Sequence, residues 1–279
     1  LLRRQGKIAD EKMQDVDRAA KHYERALHHY PGHPGVLKAL IEIYERSGRY
    51  AEAVQVLEDA AEAASDALVA CEIHLQLASI WRDRLANADK HLLHLEAAVD
   101  AHPEHAGALW DLSSLYLEAA SWAQALPLLD VLIDLPETSS DRDRAAEIHK
   151  RLARCAEGVL DHERALDEYS RAAELTPDDD QVLFGLGVQS FKAGHFEVAR
   201  ETLAALLSRS GESLDKATLL QIHLRLGECA TQEGDLRAAS DHLGRVVEAQ
   251  PNNIEAVSAV VDVLEGAGSW GQALSYLQR

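Results

Sequence analysis

Cysteine, proline and aromatic residues are scarce in this chain. Its 279 residues include three cysteines, seven prolines and 5% aromatic residues, whereas alanine and leucine are abundant. Three widely spaced cysteines do not form the pattern of a disulfide framework, and they favour a reducing compartment such as the cytoplasm. A chain so poor in helix breakers and strand-favouring residues is predicted to be all-helical.

Positively charged residues are also scarce relative to acidic ones. The chain has 28 lysines and arginines against 47 acidic residues, for a net charge of −19 at pH 7. Nucleic acids and anionic membrane surfaces bind clustered Lys and Arg, so neither is an expected partner. No uncharged apolar run reaches the roughly 18 residues that a membrane-spanning helix needs, so no membrane insertion is expected.

The chain lacks the short motifs that mark common catalytic and cofactor sites. The metalloprotease HExxH, the redox CxxC, the hydrolase GxSxG, the phosphate-binding P-loop and the dinucleotide GxGxxG are all missing. His91 and His94 lie three residues apart and could supply two metal ligands, but no third ligand is evident. We therefore expect no enzymatic activity, no cofactor and no metal site in this segment.

A period of about 74 residues runs through the whole chain. Three kinds of residue follow it: prolines at Pro31, Pro103, Pro177 and Pro251, aromatic residues at Tyr50, Trp122, Phe196 and Trp270, and histidines at His74, His149 and His223. Small residues divide each period in two, at Ala19, Ala53, Ala125, Ala165, Ala199, Ala239 and Ala273, with His91 in the place of one member. The half-period alternates between 34 residues and 38 to 40 residues.

These segments resemble the tetratricopeptide repeat, a pair of helices about 34 residues long. The family pattern of large and small residues is matched by Leu37, Leu40, Tyr44 and Ala53, by Leu152, Ala153, Ala165 and Tyr169, and by Leu183, Leu186, Gly187 and Ala199. The resemblance implies an all-α, right-handed solenoid of about eight helix pairs. Its expected repeats are 1–34, 35–68, 69–104, 105–140, 141–178, 179–212, 213–252 and 253–279. The first and last are incomplete, so we expect a segment of a larger protein.

The longer repeats are predicted to start their first helix early. Ser65, Ser140 and Ser213 precede amphipathic runs and are predicted N-caps, with Asp143 three residues after Ser140. The three periodic histidines fall at the large first position of these helices, one per period, too far apart to share a metal. We expect them to pack between repeats; a pH-sensitive packing role is the alternative. Pro127 falls inside a predicted helix and should bend it.

In tetratricopeptide proteins the first helices of the pairs line a concave groove. Carried over by the resemblance, the groove positions are Leu75, Trp110, Lys150, Arg151, Arg154, Phe184, Leu224 and Arg225. They combine an apolar floor with a basic island at Lys150, Arg151 and Arg154 in an otherwise acidic chain. The Lys/Asn pattern with which some family members hold chaperone carboxyl termini is missing, because Glu42 and Arg154 stand at the Asn positions.

The resemblance implies a scaffold or adaptor that binds a peptide or helix of another protein in this groove. The alternative is a regulatory or substrate-recruiting region of a larger enzyme whose catalytic domain lies outside the segment. The basic island also has two interpretations: a solvated helix face with Glu147 and Glu157 as intrahelical partners, or an anchor for an acidic, hydrophobic peptide. The sequence leaves the oligomeric state open.

Overall fold

The computed structural model describes residues 1–30 and 33–277, and every regular element within them is an α-helix. The chain divides into two compact units, Leu1–Leu135 and Pro136–Arg279, close to the predicted repeat boundary at residue 140. The first unit contains α1 (Leu2–Glu11), α2 (Val16–His29), α3 (Pro34–Arg46), α4 (Tyr50–Ala63), α5 (Ala67–Asp83), α6 (Ala88–Ala101), α7 (Ala106–Glu118) and α8 (Trp122–Asp134).

The second unit opens with a single turn, α9 (Pro136–Ser139), and continues in the same way. It contains α10 (Arg142–Gly158), α11 (His162–Leu175), α12 (Asp180–Lys192), α13 (Phe196–Ser210), α14 (Lys216–Glu233), α15 (Leu236–Ala249), α16 (Ile254–Gly266) and α17 (Trp270–Leu277). In both units successive helices form antiparallel pairs, and each helix packs on the next. The predicted eight tetratricopeptide-like helix pairs are therefore confirmed.

Each turn between the two helices of a pair contains one residue with positive φ. These residues are Gln14, Gly48, Ala86, Ala120, Leu160, Gly194, Gly234 and Gly268. The left-handed residue lets the next backbone N–H turn back to a carbonyl of the last helical turn, as Arg49 N–H does to Tyr44 O at 2.8 Å. The spacing of these turns matches the spacing of the periodic alanines and of His91.

Small residues allow the paired helices to approach closely. The periodic alanines are 0–3% exposed, and His91, which replaces one of them, is 7% exposed. On the first helices, a Cβ added to Gly187 would come within 2.5 Å of the Leu203 side chain, and one added to Gly227 within 2.6 Å of Leu243. The paired helices of each unit can therefore pack this closely only because small residues occupy their contact positions.

The first helices of the longer repeats are extended, as predicted. α5 and α10 have 17 residues and α14 has 18, whereas α3, α7, α12 and α16 have 13 each. The predicted serine N-caps are wrong, because the caps are Asp66, Asp141 and Asp215, whose carboxylates accept backbone N–H groups of the first turn. A carboxylate also complements the positive end of the helix dipole, which a serine hydroxyl does not.

The periodic prolines follow the second helices. Pro103, Pro177 and Pro251 lie just beyond the ends of α6, α11 and α15, where a residue without N–H cannot continue the helix. Pro31 lies outside the described residues. Pro127 lies inside α8, as predicted, and α8 continues through it from Trp122 to Asp134.

Candidate partner-binding surface

The predicted groove residues are divided between the two units. Leu75 on α5 and Trp110 on α7 belong to the first unit, and both are half-buried. Leu75 packs against the core residues Cys71 and Ala78. Only part of the Leu75 side chain is therefore available to a partner. The other six predicted residues belong to the second unit, where they lie on α10, α12 and α14.

Leu224 does not belong to a surface. Its side chain is 1% exposed and packs in the core formed by α14, α15 and α16, beside residues such as Leu243 and Val260. The resemblance placed both Leu224 and Arg225 in the groove, but only Arg225 has an accessible side chain. Leu224 is therefore a core residue.

Lys150 and Arg151 are held by acidic neighbours. Glu147 lies 2.7 Å from Lys150 Nζ and 2.9 Å from Arg151 Nε, which confirms its predicted role as intrahelical partner. Lys150 Nζ also lies 3.1 Å from the carboxylate of Asp179, the N-cap of α12. Burial alone would raise the pKa of the Glu147 carboxyl, but hydrogen bonds from Lys150 and Arg151 outweigh it and the pKa is lowered. These two cations are thus fixed in place and largely neutralised.

Arg154 differs from its two neighbours because its side chain is exposed. The predicted partner, Glu157, is engaged elsewhere: it accepts hydrogen bonds from Tyr169 Oη at 3.1 Å and from the Gln189 side chain. The prediction of an Arg154–Glu157 pair is therefore wrong. Arg154 lies one turn beyond Lys150 on the same face of α10, and it supplies the accessible positive charge of the basic island.

Arg225 connects three first helices. Its guanidinium lies 5.3 Å from the centre of the Phe191 ring on α12, 2.5 Å from Glu228 on α14 and 3.3 Å from Glu255 on α16. Burial raises the pKa of Glu228, and the hydrogen bond from Arg225 opposes that shift. The side chains of α12, α14 and α16 therefore share one face of the second unit.

Phe191 is a surface residue that the sequence reasoning missed. It is half-buried, and its ring packs edge-on against Phe196 with ring centres 5.5 Å apart. Phe184 lies two turns earlier on α12, half-buried against Leu203 and Ile222. The spacing of Phe184, Val188 and Phe191 is the i, i+4, i+7 pattern of one helix face, and this signal could have revealed the residue.

The three periodic histidines occupy equivalent sites, as predicted. Each makes a polar contact with a side chain of the second helix in its own pair: His74 faces His94, His149 faces Glu168 and His223 faces His242. His91 turns to the backbone instead, with Nδ1 2.9 Å from Ala78 O. Within residues 1–30 and 33–277, no group of three His, Cys, Asp or Glu side chains could hold a metal ion.

The cysteines are buried in the helix packing. Cys71, Cys155 and Cys229 are all free and 0% exposed. Burial raises the pKa of the Cys229 thiol to about 11, so it stays protonated near neutral pH. A buried, protonated thiol is a poor nucleophile and a poor metal ligand.

In the described part of the chain, no helix has both the length and the apolar character needed to cross a bilayer.

Tetratricopeptide repeat family models match two segments of the chain, residues 12–70 and 92–142. No curated protein sequence matches it. Among solved structures, the chain is similar to YrrB, described as a TPR protein with an unusual peptide-binding site, with a TM-score of 0.54 and 16% identity over 74% of this chain and 98% of that one.

Two other solved structures cover more of the chain. The C-terminal part of a TPR repeat-containing protein from Cytophaga hutchinsonii matches with a TM-score of 0.55 and 12% identity over 92% of this chain and 98% of that one. A chain of the Naa15/Naa10 complex bound to HypK-THB matches with a TM-score of 0.59 and 15% identity over 95% of this chain and 38% of that one. The two matched segments are tetratricopeptide repeats, and the helix pairs continue the same architecture through the rest of the described residues.

Proposed function

We propose that the second unit binds a peptide or helix of another protein along the first helices of its pairs, α10, α12, α14 and α16. Tetratricopeptide repeats are generally protein–protein interaction modules. The observation that carries the proposal is the arrangement around Arg225, which joins an aromatic side chain of α12 to acidic side chains of α14 and α16. Aromatic and arginine side chains on one partly buried face are typical of binding hot spots.

The chemistry of this face favours an acidic, hydrophobic ligand. Arg154 is an exposed cation on a chain of net charge −19, so it would orient an acidic side chain of the partner. Phe184 and Phe191 are half-buried on the neighbouring helix and would contact apolar side chains. The peptide-binding site named for YrrB supports a peptide ligand in this fold.

A displayed peptide library panned against the purified chain tests this proposal. Peptides enriched on the parent chain are measured for affinity against two variants with the same charge change. Arg154→Glu alters the proposed face, whereas Arg237→Glu alters an exposed arginine on α15, the second helix of its pair. Arg154 is preferred to Lys150 because reversal of Lys150 would leave Asp179 without its cation and place a further carboxylate beside Glu147, which would disturb the fold.

We expect Arg154→Glu to weaken binding by about tenfold or more, which corresponds to roughly 1.4 kcal/mol. Arg237→Glu should leave the affinity within about twofold of the parent. Phe191→Ala should also weaken binding, because it removes an apolar contact and leaves Arg225 without its aromatic support. Equal affinities for the parent and the Arg154→Glu variant would show that the peptides bind elsewhere.

A further inference from the structure

Three helix pairs contain a polar contact at the same place between their two helices. In α5/α6 it joins His74 Nδ1 and His94 Nδ1 at 3.3 Å, and in α14/α15 it joins His223 Nδ1 and His242 Nδ1 at 2.9 Å. In α10/α11 the equivalent contact joins His149 Nδ1 and a carboxylate oxygen of Glu168 at 2.6 Å. The histidine at this position of the first helix therefore contacts a second histidine in two helix pairs and a glutamate in the third.

Each histidine pair can keep its contact with at most one charged ring. The ring centres are 5.5 Å apart in the first pair and 5.2 Å in the second, so the rings meet edge to edge through their Nδ1 atoms. Such a contact holds one proton, because one Nδ1 donates its N–H and the other accepts with its lone pair. A proton added to the accepting Nδ1 leaves two N–H groups facing each other, and the hydrogen bond is lost.

Little in the surroundings compensates a second positive charge. His94 and His223 are each 6% exposed, and His94 Nε2 is buried without a hydrogen-bond partner in the described structure. Lys90 adds a positive charge near His94, while Glu96 on the same helix is engaged by Tyr116 of α7 at 2.7 Å. Burial and the partner His74 accordingly lower the pKa of His94 to about 4, and burial lowers the pKa of His74.

The second histidine pair has similar surroundings. Burial, His242 and Arg245 lower the pKa of His223 to about 4, and burial and Arg245 lower that of His242 against the opposing effect of Asp241. His242 also borders a cleft between α13 and α15 whose walls include Arg200, Glu233 and Asp235. Arg200 and Glu233 form an ion pair with each other at 3.0 Å, which limits the help that Glu233 can give to a histidine cation.

The α10/α11 contact differs from the other two because the partner of its histidine is a carboxylate. A proton on His149 converts its contact with Glu168 into an ion pair, and Arg164 lies 4.0 Å from the other oxygen of the same carboxylate. From this difference we propose that acidification loosens the α5/α6 and α14/α15 helix pairs while α10/α11 stays closed. The chain thus contains two acid-sensitive helix pairs and a matched pair that resists acid.

Hydrogen exchange followed by mass spectrometry at pH 7.5 and 5.5 tests this proposal, with rates corrected for the intrinsic effect of pH on exchange. A histidine with a lowered folded pKa binds protons more readily when its helix pair is open, so protection falls as pH drops below the ordinary pKa of about 6.5. With a folded pKa of about 4, the loss at pH 5.5 is roughly tenfold for one histidine. We expect this loss in α5/α6 and α14/α15 and not in α10/α11.

Two substitutions that exchange the second side chain of the contact separate its effect from that of the neighbouring residues. Glu168→His gives α10/α11 a histidine pair and should make it acid-sensitive, whereas His242→Glu gives α14/α15 the acid of the resistant pair and should remove its sensitivity. His242→Gln, which can accept a hydrogen bond but does not titrate, replaces His242→Glu if that variant does not fold. The proposal is wrong if protection falls equally in all three helix pairs, or if α14/α15 stays acid-sensitive after His242 is replaced.

Discussion

Lys150 Nζ lies 3.1 Å from the carboxylate of Asp179, and the same carboxylate accepts the backbone N–H groups of Gln181 and Val182. One side chain therefore caps α12 and joins it to α10. Asp179→Ala removes both interactions and should lower the free energy of unfolding of the second unit by about 1–3 kcal/mol. Asp179→Asn keeps an oxygen for the cap and should cost less than Asp179→Ala in urea unfolding.

The Asp179 ion pair also has a predicted pH dependence. Burial would raise the pKa of Asp179, but hydrogen bonds from Lys150 and from the backbone of α12 outweigh it and hold the pKa below its usual value. The stability that this carboxylate contributes is thus present above the ordinary pKa of about 4 and is lost as pH falls through the lowered folded value. The difference in urea midpoint between the parent and Asp179→Asn should shrink as the pH falls below about 4.

The close approach of helices predicts opposite effects of alanine at two glycines. Gly187→Ala would bring a Cβ within 2.5 Å of Leu203, whose side chain is 0% exposed, whereas a Cβ on Gly266 meets nothing within 4 Å. We expect Gly187→Ala to destabilise the second unit by about 1–3 kcal/mol, reduced by the better helix propensity of alanine. Gly266→Ala should stabilise it by about 0.5 kcal/mol. Equal unfolding midpoints for the two variants would contradict the predicted crowding at Gly187.

Ala165 tests the same packing from the second helix of a pair. It is 0% exposed within α11, and the repeat pattern reserves its position for a small residue. Ala165→Leu should overpack the α10/α11 pair and cost about 1–3 kcal/mol of unfolding free energy. An exposed alanine of the same unit, Ala193, provides the control, because leucine there displaces no neighbour from a core. An unchanged melting temperature for Ala165→Leu would contradict the repeat phasing.

The positions of the helix pairs were predictable because the same sequence signal recurs in each repeat. A single alanine carries little information, but alanines at steps of 34 and 38–40 residues identify the same interhelical position in each pair. Each left-handed residue lies at the same distance before a periodic alanine, or before His91 in its place. The N-caps failed for a local reason: Ser65 stands beside Asp66 and Ser140 beside Asp141, and both residue types can cap a helix, so the pattern did not decide between neighbours.

The surface was less predictable because it depends on single-residue register and on distant partners. Leu224 and Arg225 are adjacent, and a rotation of one residue on α14 decides which of them is buried. The partner of His223 lies on the next helix at His242, and the phase of the second helix relative to the first cannot be read from either segment alone. Glu157 likewise accepts hydrogen bonds from Tyr169 of α11 and Gln189 of α12 instead of pairing within its own helix.

Leu160 occupies a left-handed backbone position that four of the eight turns give to glycine. Its φ is 63° and its side chain is 75% exposed, so it bears the steric cost of this conformation with little burial to offset it. Leu160→Gly should therefore stabilise the second unit by up to about 1 kcal/mol, as measured by urea unfolding. The reciprocal change, Gly194→Leu, alters an equivalent turn with φ of 80° and nothing within 4 Å of an added Cβ, and it should destabilise the unit by a similar amount. If Leu160→Gly instead lowers the unfolding midpoint, the exposed leucine makes a stabilising contact that outweighs the backbone strain.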